Sequence, residues 1–218
     1  MLSEEEIWGI YLERNAVWYY DYRRGDPTVP HAALSSDLCS DGYVNSRIVM
    51  SDPELVRLLA SELVLRIREQ TVILPVDWVV GSPYGSITFS YELARQLGAR
   101  HGFVEKDPKN PGRMVWQGVV IPARARVLRC EELIVTRGTA VEVRLAIENG
   151  NPEPVCFLPE VVTAIWRPHL FEPNFGIDIT ALVRRNDMRT WPQEECLPCK
   201  QGSPRLRPKA HWSKFISK

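Results

Sequence analysis

The sequence predicts one α/β domain built around a parallel sheet, and three observations carry that expectation. Short apolar, β-branched runs at 76–80 and 161–166 are separated by stretches with helical spacing, the order that βαβ units produce. Start and stop signals bracket those helical stretches. At 218 residues and 44% apolar, the chain can bury one sizeable core and is too short for two full domains.

The elements follow in order. Ser3 with Glu6 three residues later, ahead of Ile7, Trp8, Ile10 and Tyr11, has the form of a capping box opening an amphipathic helix that ends before a turn at 27–30. Asp52-Pro53-Glu54 opens a second helix, whose Leu55, Leu58, Leu59, Leu63 and Ile67 form one buried face. The run 76–80 is a strand, 81–86 a loop, and the stretch to Leu97 a helix stopped by Gly98. Residues 102–104 suggest a further strand. The polar, Pro- and Gly-containing 105–113 reads as an exposed, mobile excursion, and 115–130 as extended segments broken near Pro122. A helix over 139–149 stops at Asn149-Gly150, and 161–166 is another strand. From Asp187 the chain turns polar, with four prolines, and reads as an irregular tail on the surface. The expected division is therefore a domain over 1–186 and a tail over 187–218.

Lys+Arg and Asp+Glu both total 27, so there is no overall pull toward nucleic acid or anionic membrane, and any phosphate site must be local. Five scattered cysteines are unlike a secreted disulfide framework and read as reduced thiols. An acidic N-terminus and the lack of an 18-residue apolar window argue for a cytoplasmic location.

Parallel sheets bind ligands at the carboxyl ends of their strands, where two loops fall, 81–86 and 131–139. The second carries the chemistry. Glu131-Glu132 at a strand end supplies acceptors suited to sugar hydroxyls. The small-residue turn Val135-Thr136-Arg137-Gly138-Thr139-Ala140 then opens a helix whose unpaired N–H groups and dipole favour a phosphate.

This stretch, from Leu128 to Thr139, resembles the ribose-phosphate motif of the type I phosphoribosyltransferases, and most of all the orotate phosphoribosyltransferases. Four further stretches share the resemblance, which runs from about residue 30 to 170. Ser82-Pro83-Tyr84-Gly85 looks like the family's pyrophosphate loop, and 103–109, with Lys106 and Lys109, like the start of its mobile catalytic loop. Residues 34–45 resemble the hood segment, and Arg167 falls where the family places an arginine near the orotate carboxylate. The resemblance implies a type I phosphoribosyltransferase-like parallel sheet flanked by helices, with a small hood contributed mainly by 28–50 and 161–185. It also implies Mg²⁺-dependent transfer of phosphoribose from 5-phosphoribosyl 1-diphosphate to orotate, in a homodimer. Glu131 and Glu132 would then hold the ribose, 135–140 the 5-phosphate, 82–85 the pyrophosphate and Arg167 the base. Lys106, Lys109 and Glu132 would serve catalysis.

The chain departs from the family pattern at Glu132, usually Asp, and at Arg137, usually Gly, where a required positive φ would cost about 1 kcal/mol. Arg129 interrupts an apolar strand, Asp37 and Cys39 replace Gly and His of the hood, and Pro111 replaces a loop histidine. These departures keep open a nucleotide-sensing protein without turnover, or a transferase for another base. Plainer readings stand beside the site. Taken alone, Glu131-Glu132 reads as a solvated strand end, a reading that the following turn and the Tyr84 loop reverse; Lys106 and Lys109 read also as loop charges, Tyr84 as packing on the sheet edge and Arg167 as a surface ion pair. Cys196-Leu197-Pro198-Cys199 has the spacing of half a zinc knuckle, with His211 offering a third ligand, and the basic tail reads as solvated rather than RNA-binding.

Overall fold

In chain order the elements are α1 (Glu4–Glu13), β1 (Val17–Tyr19), β2 (His31–Ala33), β3 (Cys39–Ser40), β4 (Gly42–Val44), α2 (Ser46–Met50), α3 (Pro53–Glu69), β5 (Trp78–Gly81), α4 (Ile87–Leu97) and β6 (Arg100–Phe103). Then come β7 (Glu105–Lys106), β8 (Met114–Val115), β9 (Arg126–Ile134), α5 (Gly138–Gly150), β10 (Cys156–Trp166), β11 (Asp178–Arg184), β12 (Thr190–Trp191), α6 (Leu197–Lys200), β13 (Arg205–Leu206) and α7 (Pro208–Ile216). The computed structural model describes residues 1–23, 26, 28–69, 75–168 and 175–216. Pro27, which heads the turn expected at 27–30, and residues 169–174 of the expected hood lie outside the described residues.

The central sheet has the order β11-β10-β9-β5-β6, with every neighbouring pair parallel. Because alternate strand residues face opposite sides, Val79, Leu128 and Cys130 meet α1, α3 and α4, whereas Trp78, Val80 and Val127 meet Val143, Ala146 and Ile147 of α5. Helices thus cover both faces. Counting only the sheet strands in chain order, the first (β5) lies beside the third (β9). The winding direction reverses between them, which opens a crevice at their carboxyl ends.

Local signals explain several elements. The capping box at α1 is formed in full: Ser3 Oγ accepts from the Glu6 amide at 3.2 Å, and Glu6 accepts from the Ser3 amide at 2.8 Å. Gly98 closes α4 at φ +70°, a conformation a Cβ would oppose.

The structure differs from the sequence expectation in three places. The excursion 105–113 is the front half of a hairpin, β7 pairing antiparallel with β8. Residues 161–166 and 178–184 belong to the large sheet rather than the hood: β10 hydrogen-bonds to β9 and β11 in parallel, burying Val161, Val162, Leu182 and Val183. The small sheet has the order β12-β3-β2-β13, so the segment after Asp187 is not an irregular tail but supplies both outer strands. Its two-residue strands are specified by pairing across the fold, which leaves no local periodicity to read.

Candidate functional site

Strand β5 ends at Gly81, and the loop that follows is tied by hydroxyls: Ser86 Oγ donates to the Ser82 carbonyl at 2.7 Å, and the two Oγ atoms lie 3.2 Å apart. The Pro83–Tyr84 peptide is cis. Strand β9 ends at Ile134 with Glu131 buried and Glu132 half-buried. The two loops touch at Gly85, where an added Cβ would overlap the Glu132 carboxylate. That glycine gives the acidic side chain its room.

After β9 the chain turns into α5, whose first internal bond runs from the Val141 amide to the Arg137 carbonyl. The amides of Gly138, Thr139 and Ala140 therefore have no acceptor within the helix, and Arg137 makes no side-chain cap. Arg137 has φ −77° and ψ 0°, ordinary right-handed backbone, so the position carries none of the strain that a positive φ would impose. Its guanidinium turns away to the Ile177 carbonyl, 3.1 Å, and the Trp166 ring, 5.5 Å. Of the positions that depart from the family pattern, Asp37 does have a positive φ, +64°, and its carboxylate is held by Arg205 at 2.8 Å.

One cleft of about 470 Å³ gathers these parts. Its lining includes Ser82 and Pro83, Lys106, Glu131 and Glu132, Val135, Thr136 and Thr139, and Arg167. The hood adds Leu34, Ser35, Ser36 and Tyr43, and the C-terminal segment adds Arg207 and Lys209. Tyr84, Gly85, Lys109, Arg137, Gly138 and Ala140 are not on its wall. Lys109 sits on the exposed tip of the β7–β8 hairpin, its amide bonded to Asp107 at 2.8 Å. Tyr84 is exposed rather than packed on the sheet edge, and its ring receives the Lys106 ammonium at 5.5 Å.

Five cations of the cleft, Arg47, Lys106, Arg167, Arg207 and Lys209, face two carboxylates, so an electropositive hollow exists within a chain of zero net charge. Arg167 is 3% exposed, which removes the surface ion-pair reading. Its Nη2 donates to Ser40 Oγ at 3.0 Å, and burial pulls its pKa down to about 10. Burial raises the Glu132 carboxyl above its usual range, opposed by the charges of Lys209 and Arg47. The same burial lowers Lys209, with Glu132 pulling it back up. Arg47, Arg207 and Lys209 were missed at the sequence level. The only signal for Arg207 and Lys209 is the basic spacing of 205–209, and nothing local says that this segment folds back over the cleft; Arg47, in α2, gives none. Arg129 is also explained: it is buried on the α5 side of β9, donating to the carbonyls of Ala140 at 3.4 Å and Leu158 at 3.1 Å.

A doubly wound parallel sheet with an acidic pair and a phosphate-sized turn at its switch point defines the type I phosphoribosyltransferase class. Relatives narrow it. The chain is 36% identical to the orotate phosphoribosyltransferase of Nitratiruptor sp. over 127 residues, 58% of this chain and 61% of that protein. It is 30% identical over 179 residues to the orotate phosphoribosyltransferase of Caldicellulosiruptor bescii, covering 82% of this chain and 87% of that one. Among solved structures it matches the orotate phosphoribosyltransferase from Aeropyrum pernix with a TM-score of 0.57 at 18% identity, over 82% of this chain and 93% of that one. It also matches the UMP synthase of Leishmania donovani with a TM-score of 0.59 at 17% identity, over 82% of this chain and 36% of that one. These two likenesses speak to the fold. No family model matches the chain. The chain belongs to the orotate phosphoribosyltransferase family, and with it to the glycosyltransferase-type enzymes.

No helix among the described residues is long and apolar enough to cross a membrane.

Proposed function

We propose that this chain transfers phosphoribose from 5-phosphoribosyl 1-diphosphate to orotate, releasing pyrophosphate and forming orotidine 5'-phosphate. The observation that carries this reading is the single cleft in which the acidic pair, the α5 turn, the β5 loop, Lys106 and Arg167 converge. The turn 135–140, which reaches the cleft through Val135, Thr136 and Thr139, takes the 5-phosphate through the open amides at the start of α5. Glu131 and Glu132 accept from the ribose hydroxyls, and their charge faces C1 as the sugar becomes oxocarbenium-like. Ser82 and Pro83, on the cleft wall, hold the diphosphate, with Tyr84 and Gly85 shaping the loop behind them, while Lys106, Arg207 and Lys209 offset the charge that gathers on it as the C1–O bond breaks. Arg167 presents a buried guanidinium to the carboxylate of orotate, the planar match that favours arginine over lysine.

The donors beside the diphosphate loop are oxygens, from Glu131, Glu132 and Ser82, and they suit Mg²⁺, which favours oxygen and is commonly shared with substrate phosphates. Bound there with the diphosphate, it would supply charge neutralisation of the leaving group. Lys109 reaches no part of this cleft from its hairpin tip, so we assign it to the matching cleft of a second subunit in a homodimer. A cytoplasmic setting accords with this reading.

The test measures binding of 5-phosphoribosyl 1-diphosphate with Mg²⁺ by calorimetry, and orotate consumption by absorbance, on the wild type and on a Glu131→Ala, Glu132→Ala variant. Saturable binding and turnover in the wild type, both lost in the variant, are expected. Tight binding with no turnover of any tested base would replace the enzyme by a nucleotide-sensing protein; turnover of a different base alone would reassign the acceptor.

A further inference from the structure

His31, Cys39, Cys196 and Cys199 bring one imidazole nitrogen and three sulfurs together, all within 4.8 Å of one another. They come from three parts of the chain: β2, β3, and the turn into α6. His31, Cys39 and Cys196 are buried and Cys199 is half-buried. His211, the third ligand that the tail offers by sequence, is exposed and lies outside the group.

We propose that these four residues form a structural zinc site that fastens the C-terminal segment to the hood. Three thiolates and one imidazole make a closed tetrahedral set, the composition of structural rather than catalytic zinc, and Cys196 and Cys199 have the two-residue spacing of a zinc knuckle. The geometry agrees. With Zn–S bonds of about 2.3 Å, a tetrahedron places its sulfurs about 3.8 Å apart. Cys39 Sγ and Cys199 Sγ are 3.7 Å apart, and His31 Nε2 lies 3.2 Å from Cys199 Sγ.

The surroundings prepare the ligands. Ser203 Oγ donates its proton to the Val29 carbonyl at 2.7 Å, so toward His31 Nδ1, at 2.9 Å, it can only accept. The Nδ1–H tautomer is thereby selected, and the Nε2 lone pair faces the sulfurs, the orientation that second-shell partners give to metal-bound histidines. Arg205 Nε donates to Cys39 Sγ at 3.3 Å. Zn²⁺ with three thiolates and a neutral imidazole carries one net negative charge, which that guanidinium offsets; binding releases the three thiol protons.

The consequence reaches the cleft. Strand β2 ends at Ala33 and leads directly to Leu34–Ser36, and β13 leads to Arg207 and Lys209, all of them on its wall. Tying Cys39 to Cys199, 160 residues apart, holds these two walls together where strands of two or three residues would hold them weakly.

The experiment uses the full chain, purified under reducing conditions without chelator, with metal measured by mass spectrometry and cobalt(II) titrated into the metal-free form. About one zinc per chain, and the visible bands of tetrahedral cobalt–thiolate, are expected. Cys39→Ser and Cys199→Ser lower the zinc content at least about tenfold, and Ser203→Ala weakens the affinity about tenfold through the lost tautomer control. Cys156→Ser, an exposed cysteine outside the group, keeps full zinc. Amide exchange in 196–216 accelerates when zinc is removed, while the large sheet stays protected. Uptake below about a tenth of an equivalent by the folded, reduced wild type overturns the proposal. So does zinc retained at full occupancy in a Cys39→Ser, Cys199→Ser variant, or a Cys39–Cys199 disulfide in protein isolated without reductant.

Discussion

Replacing Arg137 by glycine gives this turn the residue that the family resemblance leads one to expect there, and the direction of its effect separates two accounts of the site. If the turn needed a left-handed residue, Arg137→Gly would relieve strain, raise stability and tighten phosphate binding. With φ −77° there is no strain to relieve, so the substitution only removes interactions. The guanidinium bond to the Ile177 carbonyl at 3.1 Å contributes about 1.5 kcal/mol, as a charged donor does. Its place over Trp166, at 5.5 Å, adds roughly 0.5 kcal/mol. The wider freedom of glycine in the unfolded chain costs about 0.5 kcal/mol more. A loss near 2.5 kcal/mol should lower the melting temperature by roughly 5–10 °C for a domain of this size. Affinity for 5-phosphoribosyl 1-diphosphate should stay within about threefold, because the guanidinium faces away from the turn. Urea unfolding and calorimetry on both proteins check this. A more stable variant, or one that binds the diphosphate sugar tenfold more tightly, would refute the reasoning.

Gly85→Ala should lower kcat/KM by about a hundredfold with little change in melting temperature, since its Cβ displaces the Glu132 carboxylate rather than the core; retained activity would show that this carboxylate's position is unimportant. Lys209→Met should weaken diphosphate-sugar binding about tenfold and reduce its salt dependence, and an unchanged affinity measured at low and high salt would remove Lys209 from the site. Asp77 is held down to about 2 by its hydrogen bonds to the Arg126 side chain and amide, below the unfolded value of about 3.9. Its contribution is therefore full above about pH 4 and lost as the pH falls toward 2. The pair is more than a third exposed, so the contribution is small. Asp77→Asn should be slightly less stable at pH 6, with the gap to wild type closing between pH 4 and 2; a constant gap across urea titrations would contradict the assignment.

What could be read from the sequence, and what could not, divides along the range of the interactions involved. The α1 capping box, the apolar face of α3, the Gly98 stop and the acidic pair ahead of α5 are each determined within a few residues, and each is found where its spacing places it. Strand β11 escaped notice because only Thr180, Leu182 and Val183 of its seven residues are buried, as suits the outermost strand of the sheet. Strands β12 and β13 have two residues each and exist only because β3 and β2, over a hundred residues earlier, offer them partners. Separation along the chain also hides Lys209 from Glu132, and His31 and Cys39 from the Cys196–Cys199 pair. Both the cleft and the thiol cluster are therefore completed by one return of the C-terminal segment across the small sheet. Loss of that docking should remove cations from the cleft without disturbing the parallel sheet beneath it. The acidic pair and the α5 turn are built into the sheet itself, whereas the cationic wall opposite them depends on the segment that the four-residue cluster fastens.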